Sequence, residues 1–172
     1  MEGRECDGPL LRHKLIGVAA DPDVSPRDRS LVRCSRAAVL TTLAAMSTAR
    51  GTFNIVMTPG TAEMEGAVSR FDFTKTFLGD LEATGMGVML SCGNPQVGEA
   101  GYVAIETVRG RIGEREGGFA LQQVGRMHRG SQTLHYEVVP GSGRGAFDGI
   151  VGTFHLTIEE DGTHRYELAY EL

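Results

Sequence analysis

Lys75 is where residue type and position conflict most. It stands in Phe71-Asp72-Phe73-Thr74-Lys75-Thr76-Phe77, where apolar and polar residues alternate, and it falls on the aromatic face. Alternation with period two marks a β-strand with one face buried. An ammonium on that face is costly unless it is paired. Lys75 therefore either meets a carboxylate inside or sits at a strand end, its stem packed and its charge in water. Glu106, on the stretch that also carries Tyr102, is the best-placed partner. Gln122 and Gln123 are adjacent, so one of them points inward whichever face is buried. A Gln amide there can serve a ligand carbonyl or enol, or make a cross-strand contact. Lys75, Glu106, Gln122 and Gln123 are the candidate catalytic groups.

Other chemistries find little support. His135 and His155 alternate with apolar neighbours and should face outward, and neither has another His at metal-ligand spacing. Cys6, Cys34 and Cys92 are odd in number and far apart, with no CxxC, so no metal cage follows and a reducing compartment is the simplest inference. GxSxG is absent and no Ser-His-Asp or Cys-His arrangement is legible, which leaves covalent hydrolysis unsupported. Gly141-Ser142-Gly143-Arg144-Gly145 is followed by Gly149, Gly152 and an alternating strand rather than a helix, so it reads as a turn or bulge and not as a phosphate cradle. A net charge of −5 argues against a nucleic-acid surface. No apolar run is long enough to span a bilayer, and charged residues interrupt the N-terminus where a signal peptide would be apolar. A cytoplasmic protein without cofactor or metal is expected, with no nucleic-acid or membrane partner; the oligomeric state stays open, a homo-oligomer included.

The elements that must position these groups fall into two parts. In residues 1–48, Ser25-Pro26-Arg27-Asp28 is a helix start, and Val32, Val39, Leu43 and Met46 share one helical stripe. A helix over about residues 26–46 is predicted, preceded by the apolar residues Leu10, Leu11, Leu15, Ile16 and Val18. From residue 49 to 172 the period switches to two. Clear alternation occurs around Phe71–Phe77, Leu134–Val138, Phe154–Ile158 and Tyr166–Leu172, and weaker strands are expected near 50–57, 80–90, 100–110 and 117–126. Asp161-Gly162 signals a hairpin with a primed turn. Twenty-four glycines and short connections leave no room for crossover helices. The fold class is therefore all-β: an antiparallel eight-stranded barrel, closed around side chains or one small ligand, with an N-terminal helical extension. A β-sandwich shares this pattern. Phe71, Phe73, Tyr102, Phe119, Leu121, Tyr136 and Tyr166 are the expected ligand-contacting wall.

Four ordered segments, residues 75–82, 100–106, 118–123 and 139–145, resemble a bacterial family of small barrels similar in fold to allene oxide cyclase. The likeness spans about residues 48–172 and is specific for fold, not for activity. Such proteins usually begin near the position of Met46. The added N-terminal segment makes the whole resemble the spiro-forming [4+2] cyclases of spirotetramate and spirotetronate antibiotic pathways, pyrroindomycin type, in which that segment closes over the substrate. The resemblance implies a lid, here residues 1–48, with the charged Glu2, Arg4 and Glu5 at its tip ahead of the apolar Leu10 and Leu11.

Such chemistry suits a sequence poor in catalytic motifs, because a pericyclic cyclisation needs neither nucleophile nor metal. It needs a polyene held in one reactive conformer and a donor that polarises its carbonyl. The leading expectation is thus a cofactor-independent intramolecular cyclase, a Diels-Alderase acting on a lipophilic polyketide intermediate. The alternative is a non-catalytic carrier or sensor of a hydrophobic small molecule, which the same scarcity of motifs would fit.

Overall fold

The computed structural model describes residues 45–62 and 67–172, and these form a closed antiparallel barrel. Eight strands make the ring: β1 (Ser47–Gly60), β2 (Val68–Gly79), β3 (Leu81–Asn94), β4 (Glu99–Ile112), β5 (Arg115–His128), β6 (Ser131–Val138), β8 (Val151–Ile158) and β9 (His164–Glu171). A two-residue strand, β7 (Arg144–Gly145), pairs with the start of β5. Each strand pairs with the next, and β1 pairs with β9 from Ser47↔Tyr170 to Phe53↔His164, which closes the ring. Closure removes the sheet edges and excludes the sandwich. All four weak strands are present and longer than their patterns suggest. The predicted helix and the lid residues lie outside the described residues, save Ala45 and Met46, which take no regular structure.

The hairpin turns differ in an instructive way. In the β8–β9 loop, Gly162 donates its N–H to Glu159 O (2.9 Å), and the Thr163 N–H is held by Asp161 Oδ1. Gly162 alone has a positive φ, so the connection is longer than the expected two-residue primed turn. Two-residue turns lie elsewhere: Gly113-Glu114 joins β4 to β5 with Gly113 at positive φ, and between β5 and β6 Arg129 and Gly130 both take positive φ. Arg129 carries no glycine or asparagine signal; its N–H bonds to Glu99 Oε1 at 3.2 Å, which helps to hold it there.

The seam between β6 and β8 is the thinnest, with Glu137↔Thr153 its one pair. The chain between them, residues 139–150, bears the glycine-rich run and folds under one end of the barrel. Arg144 donates to Gly141 O and Gly143 O, and a Cβ on Gly143 would lie 1.9 Å from Phe147 O, so the run serves a tight turn. Phe147 and Ile150 from this segment are fully buried, and Phe147 meets Phe119 edge-on. With Phe53, Phe77, Leu81, Leu121, Phe154, Tyr166 and Leu168 they fill this end with an aromatic-rich core. The opposite end stays open.

Candidate functional site

The strand period sends Lys75 from β2, Glu106 from β4, Gln123 from β5 and Tyr136 from β6 into the interior, at the level where the packed core ends. Lys75 is 4% exposed and Glu106 1%. Lys75 Nζ donates to Glu106 Oε1 at 2.7 Å and to Tyr136 Oη at 2.9 Å, and the Tyr136 hydroxyl donates to the same Oε1. Gln123 Nε2 donates to that oxygen at 3.4 Å, and its carbonyl accepts from the Tyr102 hydroxyl at 3.4 Å. A hydrogen-bonded line thus runs from half-buried Tyr102 through Gln123 to the buried group.

Aromatic faces surround the ammonium: Nζ lies 4.8 Å from the Phe53 ring centre, 5.0 Å from Phe73 and 5.2 Å from Tyr136. Burial pulls the Lys75 ammonium below the ordinary lysine value, and Glu106 opposes that shift. Burial first, then the Glu106 charge and hydrogen bond, hold the Tyr136 phenol well above its ordinary value. Burial also raises Tyr102.

Glycines make the room for this group. Gly85 and Gly87 of β3 lie opposite Lys75 and Glu106, and a Cβ on Gly87 would come within 2.4 Å of the Phe73 ring and 2.7 Å of Glu106 Cβ. Gly125 of β5 faces Tyr102, whose ring lies flat across it, 2.0 Å from where a Cβ would stand.

Above this level lies an open cavity of about 770 Å³, lined by Phe71, Met57, Met89, Met127, Tyr102, Leu156 and their neighbours at the barrel mouth. Most of the wall is apolar, with hydroxyls and an amide from Ser69, Ser91 and Gln132. The volume falls within the usual range for small-molecule sites, roughly 300–1,000 Å³.

The predicted site residues therefore separate into levels. Phe71 and Tyr102 line the mouth; Phe73, Lys75, Glu106, Gln123 and Tyr136 form the floor. Phe119, Leu121 and Tyr166 are buried in the closed-end core, away from the cavity. Tyr166 accepts the Leu81 N–H at 3.0 Å, a barrel-closing contact. Gln122 points outward and donates to Glu137 at 2.6 Å, because Gln123 takes the inward place in the alternation. Glu2, Arg4, Glu5, Leu10 and Leu11 lie outside the described residues. His135 and His155 are exposed, as their alternation predicts. The Tyr136 hydroxyl was legible only as part of an apolar wall. Among the described residues no group of three His, Cys, Asp or Glu side chains could hold a metal ion, and no helix is long and apolar enough to cross a membrane.

Comparison with known proteins agrees with this architecture. The family described as "Protein of unknown function (DUF3224)" matches residues 49–170. A crystal structure of a protein of unknown function from the same family, from Shewanella oneidensis MR-1, is 42% identical, with a TM-score of 0.68; the alignment covers 73% of this chain and 96% of that one. No curated protein matches the sequence.

Proposed function

We propose that this chain, which belongs to the DUF3224 family, receives a lipophilic small molecule in the barrel mouth, with the ligand's inner end over Tyr102 and Gln123. The observation that carries this reading is the union of an open, mostly apolar cavity with a hydrogen-bonded polar floor. A barrel built only for stability would have filled that volume with side chains. The mouth supplies apolar area for affinity, and a few polar groups at its base supply orientation. Met57, Met89 and Met127 suit a ligand of irregular shape, because thioether side chains repack easily.

Titration of the full chain with 1-anilinonaphthalene-8-sulfonate tests the receptacle. Ser91→Trp, which places a large ring in the mouth, should abolish saturable binding and leave the fold intact by circular dichroism. Undiminished binding in this variant sinks the proposal.

Intramolecular [4+2] cyclisation of a polyene is the second reading, and the position of Tyr102 favours it. Its hydroxyl stands where cavity meets floor, backed by Gln123 and Glu106, so it can turn to a ligand carbonyl and polarise it while the walls confine the chain. Lys75 is less suited to direct donation, since Glu106 and Tyr136 already engage its ammonium. The resemblance to spiro-forming cyclases and to the allene oxide cyclase barrel belongs to this reading. A ring that forms only in the presence of wild-type protein and fails with Tyr102→Phe supports cyclisation; a lipophile recovered unchanged supports the carrier.

A further inference from the structure

We infer that Ser69 and Ser91 form a clamp for one carbonyl oxygen of an uncharged lipophile. This inference rests on the receptacle reading and adds the chemical group by which the ligand is oriented. The two serines pair across β2 and β3, and Ser91 pairs in turn with Tyr102 on β4, so the three side chains share one inward row at the mouth. Directly opposed residues on one sheet face hold their Cβ atoms about 5 Å apart, which lets two hydroxyls reach a single oxygen placed between them. Among the described residues Tyr102 donates to Gln123, whereas neither serine hydroxyl meets another side chain or a backbone carbonyl at hydrogen-bond distance. Both donors are unspent.

The surroundings set the ligand's class. On the same two strands the next inward pair is Phe71 with Met89, and Leu156 and Ile158 line the cavity from β8. Hydrocarbon beyond the oxygen therefore meets apolar wall. Charged neighbours do not share this face: Arg70 and Asp72 alternate outward on β2 and pair with one another at 2.9 Å. In the floor, Lys75 and Glu106 neutralise each other at 2.7 Å. An ion carried down to the serines would lose its hydration and find no opposite charge. A carbonyl loses less on leaving water and regains two hydrogen bonds.

Three naphthalene probes test the clamp by fluorescence titration of the full chain: the ketone 6-propionyl-2-(dimethylamino)naphthalene, its 6-propyl analogue without the carbonyl, and 6-(dimethylamino)-2-naphthoate. Ser69→Ala/Ser91→Ala should weaken the ketone about tenfold and leave the propyl analogue within about twofold, since the removed hydroxyls serve the oxygen alone. The naphthoate should also stay within about twofold, because its charge remains in water at the rim. A ketone that binds the double variant undiminished overturns the clamp and leaves the receptacle standing. An equal loss for ketone and propyl analogue does the same, because it traces the effect to the shape of the wall. A naphthoate that loses affinity together with the ketone overturns the uncharged class. Failure of all three probes to bind the wild type overturns the receptacle and the clamp together.

Discussion

Lys75 and Glu106 sit on strands that are not neighbours, and their 2.7 Å contact passes over Gly85 and Gly87 of the strand between them. Side chains two strands apart are ordinarily kept from each other by the residue in the middle. Glycine at both middle positions lets the ammonium and carboxylate meet across β3, and Gln123 and Tyr136 then close on the carboxylate from the other side. The floor of the mouth exists because β3 has no wall there.

Substitution at β3 should therefore separate two kinds of crowding. At Gly87 a Cβ would meet the backbone carbonyl of Ile105 at 2.6 Å and Glu106 Cβ at 2.7 Å, neither of them a chain end, as well as the tip of the Phe73 ring. At Gly85 its nearest contact is Glu106 Oε2 at 2.8 Å, the tip of a side chain. Gly87→Ala is expected to destabilise by about 2–3 kcal/mol, at the upper end for overpacking, and Gly85→Ala by less. Urea unfolding measures both. Equal stability losses would show that β3 accommodates a methyl as readily at either place.

The ion pair itself is a poor source of stability but a costly thing to break. Removing one partner strands the other as a buried charge, so Lys75→Met should cost about 3–5 kcal/mol. The double variant Lys75→Met/Glu106→Leu, which leaves no charge behind, should recover most of that loss and fall within about 1–2 kcal/mol of wild type. A double variant as unstable as the sum of its singles would mean that the two side chains are not coupled in the folded protein.

Much of this was legible in the sequence, and the missing parts share a cause. Alternation fixed the inward face of each strong strand, so Lys75 among three phenylalanines stood out, and the conflict pointed to Glu106. The same alternation could not say how far along the barrel axis a residue sits. Phe119, Leu121 and Tyr166 point inward as expected, yet the plug from residues 139–150 turns their end into core. Depth depends on the shear of the barrel and on a segment that pairs with little else, neither of which leaves a local pattern. Gln122 and Gln123 show a smaller version of the limit: one had to face inward, and only the register of β5 with β4 and β6 decides for Gln123. Gly85, Gly87 and Gly125 carry no sequence signal of their role: they are places within strands where another residue's side chain takes the missing volume.

Alkaline pH should expose the Tyr136 hydrogen bond. Its phenol is held well above the ordinary value by burial and by Glu106, so the folded state keeps a proton that the unfolded chain releases near pH 10. The stability this supplies is fully present below that value and is lost as pH climbs toward the folded pKa. Lys75, shifted downward, contributes with the opposite sign, gaining as pH rises toward the ordinary lysine value. Comparison of wild type with Tyr136→Phe isolates the phenol: the advantage of wild type should narrow between about pH 8 and about pH 11, by at most about 1.4 kcal/mol per pH unit. An unchanged gap in urea unfolding across that range would place the proton elsewhere.

At the mouth, ring and hydroxyl of Tyr102 should prove separable. The ring covers Gly125 on the neighbouring strand, an arrangement that replaces a missing side chain with an aromatic face. Tyr102→Phe retains this cover and removes one long hydrogen bond to Gln123, so stability should change by no more than about 1 kcal/mol. Gly125→Ala puts a methyl where the ring lies and must push it into the cavity, with an expected loss of about 1–3 kcal/mol and a shrunken mouth. Binding of 1-anilinonaphthalene-8-sulfonate should accordingly weaken strongly in Gly125→Ala and change little in Tyr102→Phe, because that dye draws mainly on apolar area. In the double variant Gly125→Ala/Tyr102→Ala the methyl has nothing to displace, so affinity should return toward wild type. If the double variant binds as weakly as Gly125→Ala alone, the damage comes from the strand itself and not from the displaced ring.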